Sequence, residues 1–196
     1  MALTIRPLTP ADRERAHALR GQVFAVHPDP FDADEVYVPD HRRVGAFVDG
    51  ELAGVASVWD LGQYYGQRRV ACGGVAGVAV APEWRRRGLG SELVQRALSE
   101  MRARGEAIST LYPLTAPLYR HLGWEFAGVW LRRRVPTVRL AELPAPARPT
   151  VVRRAGPEDR EAMAAVAGRA AVPHNGNLDR SATFNRRRLT LDGDEQ

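Results

Sequence analysis

The chain has 196 residues, 44% hydrophobic and 26% charged, with a net charge of +5, one cysteine, and arginine at all 28 of its Lys/Arg positions. This balance belongs to a globular protein and not a disordered one, and Cys72 by itself excludes an intrachain disulfide framework and any cysteine-rich zinc site, so no metal is expected. No run approaches the roughly 20 apolar residues that span a bilayer, and the N-terminus lacks the apolar centre of a secretory signal, so a cytoplasmic protein that makes no use of a membrane is expected.

Leu3-Thr-Ile-Arg6 reads as a short strand, followed by a helix that begins near Pro10. Thr9 before Pro10 is a good cap-then-first-turn pair, and Ala16, Leu19 and Val23 supply an apolar stripe at helical spacing. Residues 26–40 contain three prolines and no arginine and form an acidic loop or broken helix. Val44–Val48 and Leu52–Val58 are alternating strands joined by Asp49-Gly50, the strongest short hairpin signal. Residues 70–80 make another strand, whose internal glycines point to a bulge or a close backbone approach. A helix follows from about Leu89 to Arg104, with Leu89, Leu93, Val94, Ala97, Leu98 and Met101 on one face and Gly105 as its stop. Ala107–Tyr112 reads as a strand, Pro117–Leu122 as a short helix, and Phe126–Leu140 as one or two final strands. The fold class is α/β, with a mixed central sheet flanked by helices.

Residues 4–14 align with residues 151–161, sharing Arg, Pro and Asp-Arg-Glu at one offset. Between them, residues 143–149 form a proline-rich, semi-rigid linker. The expected organisation is one domain over residues 1–142 and the incomplete start of a second, similar module over residues 150–196, too short to bury a full core by itself.

The chemistry concentrates in Val75–Ser91. A strand ends at Val80, Pro82 breaks it, and a turn rich in Arg and Gly feeds the amphipathic helix. Successive backbone N–H groups at a helix start make an anion nest suited to a pyrophosphate. Gly88 and Gly90 permit a close approach that a Cβ would block, and Arg85, Arg86 and Arg87 add positive charge. The turn is neither a phosphate-binding Walker loop, since no Gly-Lys-Ser/Thr follows, nor a dinucleotide fingerprint, since the third glycine is missing.

On Arg85-Arg86-Arg87-Gly88-Leu89-Gly90, behind Val78-Ala-Val-Ala-Pro82, the chain resembles the GNAT superfamily of acyl-CoA N-acyltransferases, whose signature is Gln/Arg-x-x-Gly-x-Gly/Ala. Ala116-Pro-Leu-Tyr-Arg-His-Leu-Gly-Trp124 resembles a second segment of that family, and the order of elements agrees from the first strand to about residue 140. The repeat start after a proline-rich linker, together with Trp-Arg-Arg-Arg-Gly-Leu, resembles more narrowly the N-terminal module of the Eis (enhanced intracellular survival) group. That resemblance implies a GNAT fold, acetyl-CoA as cosubstrate, and transfer of its acetyl group to a primary amine by direct attack. It implies that Val78, Ala79 and Val80 line the pantetheine arm, with the Val78 N–H polarising the thioester carbonyl. Arg85, Arg86, Arg87, Gly88, Leu89, Gly90 and Ser91 would hold the pyrophosphate. Tyr119 would protonate the departing thiolate as general acid. Trp124 reads as a packing aromatic. The acceptor is a small-molecule or peptide amine, and multimeric Eis-like relatives imply a possible homo-oligomer.

The residues depart from the family in one place. Many members carry a glutamate on the central strand as general base, but Cys72–Val80 contains no carboxylate. Asp32, Asp34 and Glu35 in the acidic loop are candidates for attracting a cationic amine such as an aminoglycoside or a polyamine. The competing reading is a CoA-binding or structural module without turnover. Nucleic-acid binding is weakly supported, because the arginines are interspersed with acids.

Overall fold

The computed structural model describes residues 2–25, 38–129, 131–142, 144, 147 and 151–180. In chain order, β1 (Leu3–Pro7) leads through a 3-10 turn at Pro10–Asp12 into α1 (Arg13–Phe24). Strands β2 (Arg43–Val48), β3 (Glu51–Tyr65) and β4 (Arg68–Val80) follow, then α2 (Leu89–Ala103), β5 (Ile108–Thr110) and α3 (Ala116–His121). Helix α4 (Arg160–Ala171) and β6 (Leu178–Arg180) complete the described elements. The sheet runs β1-β2-β3-β4-β5, with β6 paired to β3, and every pairing is antiparallel except β4 with β5.

Both faces of the sheet are covered, which is why all of Arg43–Val48 is buried. Side chains alternate along β2. Phe47 meets Ala16 and Leu19 of α1 together with Leu8, Val55 and Ala79. Its neighbours Ala46 and Val48 meet Leu89 and Leu93 of α2 on the other face. Farther along α2, Ala97 and Met101 close over Val58 and Val75. The heptad-like stripe read from the sequence is therefore the buried face of α2, each large side chain contributing about 1.5–3 kcal/mol.

The Asp49-Gly50 hairpin forms as expected, with φ of +49° and +88°, the left-handed pair that matches strand twist. A second tight hairpin was not legible. Asp60, Gly62 and Gln63 interrupt the apolar alternation, yet β3 continues to Tyr65 and returns through Gly66-Gln67, where φ is +54° and +64°. Backbone pairing with β4 carries this stretch without an apolar pattern.

The strands expected over Phe126–Leu140 are absent: the described residues there are irregular until a 3-10 turn at Thr137–Glu142. Val129, Leu131 and Val135 have strand-forming side chains but stay exposed. Strand propensity expresses packing on a partner, and β5, only three residues long, offers little edge to pair with.

The repeat has a structural counterpart. Arg6 donates to both carboxylate oxygens of Asp12 (2.7 and 3.1 Å) and to Pro7 O, and the Thr9 N–H also donates to Asp12. Arg153 donates to both oxygens of Asp159 (each 2.6 Å) and to Arg154 O, and the Gly156 N–H donates to Asp159. A 3-10 turn and a helix follow each clasp. The guanidinium in each case holds its carboxyl down, Asp12 well below the usual carboxylate range and Asp159 at about 2. The copies differ ahead of the clasp: β1 pairs with β2, whereas residues 151–156 form no strand and Val151 and Val152 are exposed.

One buried ion pair braces the sheet from β2 to β5. The Arg42 guanidinium donates to Val58 O at 2.9 Å and to the Glu106 carboxylate, and the two side chains are 9% and 5% exposed. Removing one member of such a pair strands the other charge in the core. Glu106→Ala is therefore expected to lower stability by about 3–5 kcal/mol, seen in urea unfolding as a lower midpoint at an unchanged slope.

Candidate active site

Strand β5 pairs with β4 only from Cys72–Gly74 to Ile108–Thr110. Beyond Gly74, β4 continues to Val80 with no β5 beside it. In the same stretch its register with β3 jumps, Ser57 facing Ala76 but Val55 facing Ala79, so β4 carries one extra residue. Gly77, with φ of +60°, sits in this bulge, and a bulge bends the strand that carries it. The Ala81 N–H donates to Ala53 O at 2.9 Å. Alternation in an antiparallel ladder then turns the N–H and C=O of Val80 away from β3, toward the gap that β5 has left. Arg85 Nε donates to Val80 O at 3.1 Å, as that orientation requires.

The turn after β4 is built to leave donors open. A 3-10 turn at Pro82–Trp84 follows, Arg86 is left-handed at φ +61°, and Gly88 takes φ +84° as the N-cap of α2. Gly88 O accepts from the N–H groups of Ser91 and Glu92 (2.9 and 3.2 Å). Among the described residues nothing accepts from the N–H of Leu89 or Gly90, the usual state of a helix's first donors. Those donors and the positive end of the helix dipole suit an anion. The three arginines do different things. Arg85 caps Val80 O, Arg87 lies over the Trp84 ring at 4.7 Å, and Arg86 has no hydrogen bond or ion pair among the described residues.

Helix α3 closes the other side. A Cβ on Gly90 would touch Leu118 Cδ2 at 3.8 Å and Val80 Cγ2 at 3.9 Å, so α3, the first turn of α2 and the end of β4 meet at one point. Tyr119 follows Leu118, and its ring stands edge-on to Trp124 (centroids 5.9 Å apart, planes at 81°). The Trp124 backbone N–H donates to Tyr119 O at 3.0 Å, which fixes the two relative to each other. Burial pushes the Tyr119 phenol above its ordinary value, and its hydroxyl has no partner among the described residues. A phenol in that state is protonated throughout the neutral range.

The structure thus brings Val78, Val80, the Arg85–Ser91 turn and Tyr119 into one neighbourhood, while Ala79 points the other way into the α1-side core. Asp32, Asp34 and Glu35 lie outside the described residues. Asp40, at the end of the acidic segment, is held by Arg13 (2.7 Å) and Arg43 (3.6 Å). Cys72 is buried, and desolvation, aided by Glu106, pushes its thiol up to about 11, so it is no nucleophile at neutral pH. Among the described residues no helix is long and apolar enough to cross a membrane, and no group of His, Cys, Asp and Glu is placed to hold a metal. The feature missed from sequence is the Trp124 indole: it packs as expected, but its N–H is buried with no acceptor among the described residues.

A family model described as an acetyltransferase (GNAT) domain matches residues 4–127. The chain belongs to the GNAT acetyltransferase family. Solved structures agree. A GCN5-related N-acetyltransferase from Kribbella flavida is 30% identical with a TM-score of 0.75, over 96% of this chain and 49% of that one. Eis1 from Mycobacterium abscessus is 26% identical with a TM-score of 0.74, over 99% of this chain and 49% of that one. The soil-metagenome aminoglycoside acetyltransferase HMB0005 shares the fold, at 19% identity and a TM-score of 0.54, over 69% of this chain and 100% of that one. The chain spans about half the length of the first two. A comparison with curated proteins gives no match.

Within this GNAT domain the two signature glycines have different reasons. The space around Gly88 is open, so its left-handed φ is what demands glycine, whereas Gly90 has ordinary φ and room for a methyl group. Gly88→Ala is expected to cost about 1–2 kcal/mol of backbone strain and to weaken acetyl-CoA binding, whereas Gly90→Ala leaves both nearly unchanged. Thermal unfolding and calorimetric titration check the pair.

Proposed function

We propose that this chain is an N-acetyltransferase that moves the acetyl group of acetyl-CoA to a primary amine by direct attack. The observation that carries the reading is the parting of β4 from β5 beside an anion-suited helix start, with Tyr119 above it. The N–H and C=O groups of Val78 and the N–H of Val80 pair with the pantetheine arm as an added strand would, the Val80 C=O being capped by Arg85. The N–H groups of Leu89 and Gly90, the Ser91 hydroxyl and the Arg86 and Arg87 guanidiniums take the pyrophosphate. The residues present fit the cosubstrate: the open donors of Leu89 and Gly90 suit its phosphates, and the open backbone of β4 suits its amides.

In the reaction the amine nitrogen attacks the thioester carbonyl carbon and a new C–N bond forms. The Val78 N–H stabilises the charge that develops on the carbonyl oxygen. The C–S bond then breaks, and the thiolate takes the Tyr119 phenolic proton. Cys72–Val80 contains no carboxylate to receive the amine proton; the acceptor attacks as its neutral fraction, and the proton it sheds on acylation goes to solvent or to a base outside that strand. The acidic residues Asp32, Asp34 and Glu35 favour a cationic acceptor through long-range attraction. The Arg153–Asp159 clasp, a copy of Arg6–Asp12, supports residues 150–196 as the start of a second module beyond a 143–149 linker.

Calorimetry with acetyl-CoA tests the first half of this reading, and no binding at high micromolar ligand would overturn it. Tyr119→Phe keeps the ring against Trp124 and removes the proton. It is expected to fold and bind acetyl-CoA normally while turnover drops by roughly 10²-fold or more. A thiol-release assay over an amine panel measures this. Binding without turnover on any amine would favour a CoA-binding module.

The pH profile gives a separate check. Burial raises the Tyr119 pKa, so the acid remains protonated through and beyond the ordinary tyrosine range. Activity is expected to rise with pH as the acceptor amine deprotonates, and to fall only above about pH 10. A falling limb near neutrality would assign the acid to another group.

A further inference from the structure

Two buried polar side chains on the α1 face of the sheet hold donors that the protein does not use. Arg43 of β2 and Ser57 of β3 stand directly opposite each other, so their side chains share a face. The Arg43 side chain is 6% exposed and Ser57 is 4% exposed. Among the described residues neither side chain makes a hydrogen bond. The Asp40 carboxylate stands 3.6 Å from the Arg43 guanidinium, too far for a hydrogen bond, and its oxygens are taken by Arg13 at 2.7, 3.0 and 3.1 Å. Burial and the nearby Arg20 and Arg13 lower the Arg43 pKa to about 10 against the pull of Asp40, so the group stays charged at neutral pH. A buried charge is normally paired and hydrogen-bonded, because leaving its donors unmet is costly.

The place has room and lies beside the proposed reaction. Among the described residues the side-chain polar atoms both sealed and unpartnered are Trp124 Nε1 and Arg160 Nε, so the Arg43 nitrogens and Ser57 Oγ are not sealed off. Next to Ser57 is Gly77, in the β4 bulge. A Cβ there would meet Arg20 Cδ at 3.5 Å and Ser57 Oγ at 4.0 Å, ordinary contacts, with nothing nearer among the described residues. Gly77 precedes Val78, whose N–H meets the thioester carbonyl in the proposed reaction. Neighbouring strands lie about 4.8 Å apart, and β2 is two strands from β4. Arg43 is therefore within the length of a small molecule of the reacting carbonyl.

We infer that Arg43 and Ser57 form a carboxylate-binding subsite, and that the acceptor is an amino acid, an amine that also carries a carboxylate. This rests on the acetyltransferase reading and names the acceptor class for it. A carboxylate presents two oxygens in the plane that the guanidinium fork matches, and one of them also accepts from the Ser57 hydroxyl. Binding then meets both unused donors and balances one buried charge with one. A phosphate dianion would instead bring a second negative charge beside Asp40. The two ends of such an acceptor are treated differently: Arg43 takes the carboxylate, while Asp32, Asp34 and Glu35 attract the ammonium end from a distance.

The test uses acceptors in pairs, each amino acid against its carboxamide: glycine, β-alanine, γ-aminobutyrate and lysine, at saturating acetyl-CoA. The readout is the acid-to-amide ratio of kcat/KM, compared between wild type and variant so that differences in amine basicity cancel. Arg43→Gln is expected to lower that ratio roughly 10- to 100-fold for the preferred acid, the scale of hydrogen bonds to a charged group. Carboxamide turnover and calorimetric acetyl-CoA affinity are expected to stay unchanged. Ser57→Ala, which removes one donor and no charge, is expected to lower the ratio roughly two- to tenfold, and it decides the matter if Arg43→Gln fails to fold. An unchanged ratio in the folded variant, equal loss on acids and carboxamides, or wild-type turnover confined to amines without a carboxylate overturns the inference and leaves the acetyltransferase reading standing. Absence of turnover on any amine overturns both.

Discussion

Two neighbouring parallel strands that stop pairing partway create the site, and the rest of the architecture holds that parting open. β4 and β5 share three residue pairs and then separate, while the bulge at Gly77 bends β4 at the same level. Separation leaves backbone donors and acceptors without a strand partner, a costly condition in a closed interior. The protein meets the cost in part with Arg85, which caps Val80 O. What remains open is a backbone edge, and an edge with unpaired amides recruits an extended ligand as readily as it recruits another strand.

The parting persists because both banks are anchored at a distance. On one bank, β4 is paired along most of its length with β3 and packed under α2 through Val75. On the other, β5 is short, and the buried Arg42–Glu106 pair at its base ties it to the start of β2. Glu106 receives Arg104 as well, so the base of β5 carries a small network of charge and not a lone pair. Helix α2 serves two purposes at once: its apolar face fills the core beneath the sheet, and its first turn presents open N–H groups beyond the end of β4. One amphipathic helix therefore couples stability to the open donors at its start.

The Arg–Asp clasp shows how a local motif can be portable while its surroundings are not. The bidentate ion pair, the 3-10 turn and the helix recur because their parts lie within a few residues of one another. The strand ahead of the first clasp forms because β2 is there to pair with it, and among the described residues no such partner pairs with residues 151–156. Residues 126–129 and 131–136 show the same dependence: their strand-forming side chains stay exposed and irregular, with a β5 of three residues.

By itself the sequence determined whatever local periodicity and local chemistry can encode. The apolar stripe of α2, the Asp49-Gly50 turn, the Thr9-Pro10 helix start and the glycines around residue 88 each follow from residues in contact along the chain, and the structure has them in place. The short helix that carries Tyr119 and the open donors at the start of α2 also form where local sequence implies them. Tertiary structure decided what depends on residues distant in sequence. It ended β5 at Thr110, extended β3 through polar residues to Tyr65, and left Phe126–Leu140 without the expected strands. It brought Leu118 against Gly90 and buried the Trp124 indole N–H without an acceptor among the described residues. A side chain's propensity is a property of one residue, whereas pairing, burial and an unused donor are properties of what stands opposite it.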